Sequence, residues 1–389
     1  MRTAIVAIFK NECEYVLEWI AYHRAVIGIN DFIIADNISD DGTTQLLEAL
    51  DQAGIIKRVI FPRESESIGP QIPAYNHIIE QYKAEYDYFL FIDADEFLVN
   101  NTGKNLEDYL VEAAQKENFG AIALNWQIFG SSGNTYKKNG LVIETFCRAS
   151  KKNNRVNCHT KSLVSSKAIE KMHIHHASLK ENFVCYDETL QQAAFLNDPH
   201  DTVSREDTRT TPFTKTINNS LLYVAHYVVK SKYEHFLKKA NRGSAGGLAS
   251  RQKGKSFFKS HDLNDELCLD LNSNTDIVYN EIRHLKKSLQ ERTLYFSYCK
   301  GYIDKKHDRF SGWIFCDSKN TISLCFLMDD KNIVELPLNT LRIDVVKKGL
   351  STNEHCGFNY LFSDIGLYNE SLKVWIKGSN LIIFEANIL

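Results

Sequence analysis

Through the first hundred residues, short unbroken apolar runs alternate with longer stretches in which apolar residues recur every three or four positions. The first pattern predicts strands buried on both faces of a parallel sheet, and the second predicts amphipathic helices packed against them. Strands are predicted at Ala4 to Phe9, Phe32 to Asp36, Arg58 to Phe61 and Tyr88 to Ile92. Helices are predicted from about Cys13 to Ile27, from Thr43 or Thr44, whose hydroxyls suit a cap, to about Ala53, and from Ile72 to Tyr82. Strands alternating with helices in this way specify right-handed βαβ units and a doubly wound α/β sheet. The stretch from Asn37 to Thr43 is dense in Asn, Asp, Ser and Gly and reads as the turn after the second strand.

Two of those strands end in acids, Asp36 on the second and Asp93-Ala-Asp95 on the fourth. In open α/β sheets ligands bind beyond the carboxyl ends of the strands, so these acids share one edge at the mouth of a cleft. Further on, Ala121 to Trp126 reads as a strand, and Trp126 either stacks on a sugar ring or fills the core. The run Leu221 to Ala225 is another strand, with His226 at its end.

Past Gly243 the pattern changes. Ser244 to Lys259 is rich in Gly, Ser and Lys and reads as a loop over the site or a plain linker. Asp276 to Arg292 is predicted helical, with Ile277, Ile282, Leu285 and Leu289 near one face. From Tyr298 short apolar runs alternate with turns, which predicts a β-sandwich. The expected division is an α/β domain over 1–250, a helical linker over 251–297 and a β module over 298–389.

Composition narrows the function classes. A chain of 389 residues, 43% apolar and 24% charged, is globular and large enough for two or three cores. Its net charge of −3 offers no general attraction to nucleic acid or anionic lipid. Nine scattered cysteines with no C-x-x-C pair predict reduced thiols in a cytoplasmic protein. His173, His175 and His176 invite a zinc reading, but no cysteine partner lies nearby. The first apolar run is too short for a signal segment, and no run reaches the ~18 apolar residues of a span. Membrane contact is therefore expected to be peripheral, at the inner face.

The Asp93-x-Asp95 pair suits a hard divalent cation, Mn2+ or Mg2+, held together with diphosphate oxygens. The plainer alternative is a strand followed by an acidic turn. Asp36 and Asn37 can accept and donate hydrogen bonds to a base or ribose, so that one nucleotide diphosphate would span both strand ends.

The segments IVAIFKNE, ADNISDDGT and FIDADEF, in this order, resemble the glycosyltransferases of the GT-A fold, in the family 2-like and family 92-related group. The stretch His226-Tyr-Val-Val-Lys-Ser through Lys239, Arg242 and Gly243 is similar to a further signature of that group, and the resemblance covers residues 1 to about 250. It implies a metal-dependent glycosyltransferase taking a nucleotide-diphosphate sugar, UDP-linked, to a hydroxyl of a glycan or glycolipid such as bacterial lipooligosaccharide or capsule. By the same resemblance Asn11, Asp36, Asn37, Asp93, Lys161, Lys230 and Arg242 would bind the nucleotide sugar, and Asp93, Asp95 and His226 the metal. An inverting reaction needs a carboxylate to take the acceptor's proton. Asp187 is the first candidate, Glu181 the second and Glu96 a third, although residues 178–220 match the group only loosely.

The strings GYID, GWIF, LRIDV and CGFNY resemble a β module found at the ends of bacterial glycosyltransferases, with its usual D-G turn replaced by Asp330-Lys331. Such a module orients an acceptor, mediates homo-oligomer formation or braces the catalytic domain. Two rivals come from other classes. A nucleotidyltransferase would want a Gly-rich phosphate loop after the first strand, and IFKNE has no glycine. A glycan-binding protein gives no reason for acids at two strand ends.

Overall fold

The computed structural model describes residues 1–39, 42–64, 68–135, 137–138, 140–197, 210–240, 253–290, 299–306, 308–316, 323–328, 332–348, 351, 353–363, 371–376 and 382–387. The predicted strands form as β1 (Thr3–Phe9), β2 (Asp31–Asp36), β3 (Lys57–Ile60) and β4 (Tyr88–Phe91). They are followed by β5 (Glu96–Asn100), β6 (Phe119–Ile128), β7 (Thr160–Ser165), β8 (Val184–Tyr186) and β9 (Leu222–His226). Among the described residues these make a nine-stranded sheet in the order β3-β2-β1-β4-β7-β6-β9-β5, with β8 beside the start of β6. The first four are parallel. β7 runs antiparallel to β4 and β6, and β9 lies parallel to β6 and antiparallel to β5. This is the expected α/β GT-A arrangement.

Helices α1 (Cys13–Tyr22), α2 (Thr43–Gln52), α3 (Gln71–Tyr82) and α4 (Leu106–Ala113) cover the sheet. Successive residues of a strand face opposite sides, and β1 shows the result. Ile5, Ala7 and Phe9 pack with Val16, Trp19 and Ile20 of α1, while Ala4, Val6 and Ile8 pack with Ala74, Tyr75 and Ile78 of α3. The helix expected to run to Ile27 closes with a π turn over His23–Ile27 and stops at Gly28, whose φ of 85° suits glycine.

The helix expected in a linker is part of the main domain. α5 (Thr275–Gln290) buries Val278, Leu285 and Leu289 in the same core as Tyr15, Val16 and Trp19, with Ile282 partly buried beside them. Ile277, expected on that face, is 46% exposed, because positions 278, 282, 285 and 289 form the helical stripe.

Beyond it, in the region expected to be a β module, lie two antiparallel sheets. One joins Cys299–Lys306, Arg309–Cys316 and Gly357–Leu361. The other joins Ile382–Asn387, Ser371–Ile376, Ser323–Met328 and Asn332–Pro337. Its edge is completed by Lys137–Lys138 of the main domain, and Cys325 Sγ lies 3.5 Å from Glu14 Oε1 on α1. The β module is thus joined to the main domain by a shared strand. Among the described residues no helix is long and apolar enough to cross a membrane.

Candidate active site at the ends of the parallel strands

The buried run of β4 continues through Ile92 and then turns. Glu96 N–H donates to the Asp93 carbonyl at 3.1 Å, and Asp93 N–H donates to Glu96 Oε2 at 2.7 Å. That closed turn brings three carboxylates together. Asp93 Oδ1 accepts from Gln71 Nε2 at 2.6 Å and Tyr75 Oη at 3.2 Å, both on α3. Its Oδ2 is 2.8 Å from Nζ of Lys161, a β7 residue whose side chain is wholly buried. The same ammonium is 3.3 Å from Glu96 Oε2 and 3.4 Å from the Ile174 carbonyl. Burial pushes the Glu96 carboxyl up to about 8 despite the nearby Lys161 charge. Burial would lower Lys161, but Asp93 and Glu96 hold it above its ordinary value.

Asp95 faces β9. His226 Nε2 lies 3.6 Å from Asp95 Oδ1, and the Lys239 ammonium sits on Oδ2. The Tyr227 N–H donates to the Asp95 carbonyl at 2.9 Å, which ties the acidic turn to the end of β9. Burial alone would raise the Asp95 carboxyl, yet Lys239, His226 and Lys230 together hold it well below the carboxylate range. Burial pulls His226 down to about 4, so its imidazole is neutral near pH 7. His226 Nδ1 and Glu96 Oε1 are 3.9 Å apart, and neither has a hydrogen-bond partner among the described residues. A cavity of about 30 Å³ opens beside Asp95, walled by Glu12, Tyr15, Lys230, Glu234 and Lys239. Lys230 Nζ is 3.6 Å from Glu12 Oε2 and stands 3.8 Å over the Tyr15 ring, on a backbone with φ 52°.

The second acidic strand end lies on the same edge, since Phe9 pairs with Asp36 while Val6 pairs with Phe91. Asp36 is buried, and both its oxygens are engaged. Oδ1 accepts from Ile38 N–H at 3.0 Å and Thr44 Oγ1 at 2.9 Å, while Oδ2 meets Arg58 Nε at 2.9 Å and Nη2 at 2.8 Å. Asn37 donates from N–H to the Phe9 carbonyl and from Nδ2 to the Phe61 carbonyl. Asn11, at φ 56°, donates its N–H to Ser39 Oγ at 3.0 Å. These three residues shape the loops between β1, β2 and α2.

Trp126 is in the core. It stacks on His159 with centroids 4.7 Å apart and meets His226 at 4.4 Å and the edge of His175 at 5.2 Å. The three clustered histidines do not share a face. They occupy the turn of a hairpin in which His173 stacks on His176, while His175 turns to Trp126.

Asp187 and Glu181, the first two residues expected to act as base, lie away from this site, and Glu96, the third, is buried within it. Asp187 follows β8, which pairs with Phe119, Ala121 and Ile122, whereas the site lies past Ile128 at the other end of β6. Six residues of strand at about 3.3 Å each put them roughly 20 Å apart. Asp187 Oδ1 accepts from Thr189 N–H, Thr189 Oγ1 and Gln191 N–H, and Oδ2 accepts from Asn218 Nδ2. It holds a loop. Glu181 is exposed in the turn after Leu179, and Glu96 is wholly buried. Asp187→Asn is accordingly expected to change kcat by less than about tenfold, against the 10²–10⁴ of a true base, and to lower Tm instead. A thousandfold loss of kcat would reinstate Asp187.

Arg242 and 244–252 lie outside the described residues. Three residues the sequence reading did not assign belong to the site. Gln71 and Tyr75 are a polar pair four apart on the buried face of α3, a signal available in the sequence. Lys239 is brought in by a π turn over His235–Lys239, which shifts the helical phase and hides it among its neighbours.

A family model described as glycosyltransferase family 92 matches residues 5–240. Over 183 residues the chain is 29% identical to a glycosyltransferase family 92 protein of Oryza sativa subsp. japonica, covering 46% of this chain and 30% of that protein. A family 92 protein of Ricinus communis is 26% identical over 185 residues, covering 46% and 32%. The chain thus spans about a third of the length of these curated relatives, which are plant proteins. Among solved structures, S. aureus TarS is similar at 12% identity and a TM-score of 0.31, over 100% of this chain and 77% of that one. TarS 1–349 in complex with UDP-GlcNAc is similar at 17% identity and a TM-score of 0.28, over 43% and 46%. Likenesses at these scores carry no functional conclusion.

Proposed function

The chain belongs to glycosyltransferase family 92, and from that premise we propose that it moves a sugar from a nucleotide-diphosphate donor to a hydroxyl of a glycan or glycolipid. The observation that carries the reading is the meeting of Asp95, Lys230 and Lys239 around one cavity at the ends of β4 and β9, with His226 3.6 Å from Asp95. Two ammonium groups beside a buried carboxylate and a neutral imidazole suit a diphosphate and its counter-ion. The uridine form of the donor is the one implied by the motif resemblance.

A divalent cation fits part of the expected set. Asp95 and His226 suit it, because a hard cation binds through one or two carboxylates plus phosphate oxygens, and a ligating imidazole must be neutral. Asp93 fits less well as a direct ligand, since Gln71, Tyr75 and Lys161 engage both its oxygens. Its place is to hold the acidic turn. When bound, the cation would offset charge on the departing diphosphate. The chain's own residues do the rest: Lys230 faces the phosphates as a point charge, and Asp36 with Arg58 stiffens the loop at the base.

The test is a donor screen of the purified protein with Mn2+, following release of nucleoside diphosphate. Turnover is expected with one class of nucleotide sugar and is expected to fall to background in excess EDTA, returning with Mn2+. Full activity in EDTA would remove the cation from this reading, and no release with any donor would remove glycosyl transfer itself.

A further inference from the structure

We propose that Lys239 and a divalent cation compete for the Asp95 carboxylate, so that the chain takes up the cation together with a nucleoside diphosphate and binds it weakly alone. The proposal rests on the donor-site reading above and adds to it a coupling between the two ligands.

The Asp95 side chain is 12% exposed, and the Lys239 side chain that meets it is 14% exposed. A buried carboxylate deprived of its counter-charge is costly, so this pair persists until another positive charge takes over. The only other partner shown on the carboxylate among the described residues is His226, farther off at 3.6 Å. Asp95 therefore has one full positive charge in direct contact, and that charge is Lys239. A cation entering between Asp95 and His226 meets the ammonium at close range and is repelled.

The place of Lys239 in the chain suits an exchange of partners. It ends the π turn His235–Lys239, a distortion that recurs at functional sites. The start of that segment is held, with Ser231 and Glu234 forming a reciprocal capping box. Lys239 lines the same cavity as Lys230. An anionic diphosphate at the opening of that cavity would meet both ammonium groups, Lys230 lying 3.6 Å from Glu12 Oε2, and would offer Lys239 new acceptors, leaving Asp95 to the cation. By reciprocity, whatever factor the nucleotide adds to cation affinity, the cation adds to nucleotide affinity.

The test is Mn2+ binding followed by the paramagnetic resonance of the free ion, with and without UDP, on the wild type, Lys239→Met and Lys239→Arg. For the wild type, UDP is expected to tighten Mn2+ binding by about tenfold or more. Lys239→Met is expected to bind Mn2+ alone about tenfold more tightly than wild type and to gain much less from UDP. Lys239→Arg, which keeps the charge, is expected to behave as wild type. Equal Mn2+ affinity of a folded Lys239→Met and the wild type would overturn the proposal and leave the donor-site reading standing. So would wild-type Mn2+ affinity indifferent to UDP, which decides the matter even if the variant does not fold. A wild type that binds no Mn2+ under either condition would overturn both the coupling and the cation assignment.

Discussion

Asp95→Asn is expected to lower glycosyl transfer by about a thousandfold, or about 4 kcal/mol of transition-state stabilisation, with the fold intact. Among the described residues Asp95 is the one acid that touches both His226 and Lys239 and also lines the cavity. The amide keeps the shape of the side chain but loses its charge, so neither the cation nor the orientation of Lys239 is retained. The backbone links that hold the turn, Glu96 N–H to the Asp93 carbonyl and Tyr227 N–H to the Asp95 carbonyl, do not involve the carboxylate. Circular dichroism should therefore change little and Tm should fall only as far as the loss of the Asp95–Lys239 pair requires, while kcat/KM for the donor collapses. A loss smaller than about tenfold would show that charge at this strand end is not part of the chemistry.

The parallel half of the sheet was legible because β1, β2 and β4 are unbroken apolar runs buried on both faces. Asp36, Asp93 and Asp95 were legible for the related reason that acids placed directly after such runs must emerge at the sheet's edge. The mixed half was not. Its order, with β9 set between β6 and β5, depends on pairings between segments about a hundred residues apart, and local periodicity carries no register for them. The same gap misplaced Asp187, since the sequence does not say which end of β6 receives β8. Amphipathicity identified α5 as a helix with one apolar face but did not name α1 as the surface it would cover. The acids at the site could be read from position alone, whereas their cations, Lys161 and Lys239, arrive from distant elements. Lys161 was assigned through a resemblance, and its contact with the acidic turn became visible only in the fold.

Lys161→Met is expected to cost roughly 3–5 kcal/mol of folding stability, the usual result of removing one member of a buried charge cluster. Methionine matches the length of the side chain but leaves Asp93 Oδ2 facing no positive charge, with the carboxylates of Asp95 and Glu96 close by. Glu96 adds a pH signature. Its folded carboxyl is raised to about 8 from an ordinary 4.5, so between those values the native state holds a proton that the unfolded chain has released. Stability from this group is fully present below about 4.5 and is lost as pH rises through about 8. Lys161 is the main influence lowering that carboxyl, so without it the folded value rises further and the loss continues to higher pH. The stability gap between wild type and Lys161→Met should therefore be steady up to about pH 8 and widen above it, as measured by urea unfolding at a series of pH values. Introducing Glu96→Gln into both proteins should abolish the widening, because the amide has no proton to release. A gap that narrows with rising pH would mean that Lys161 does not act on Glu96 as a charge, and its contribution would then rest on packing alone.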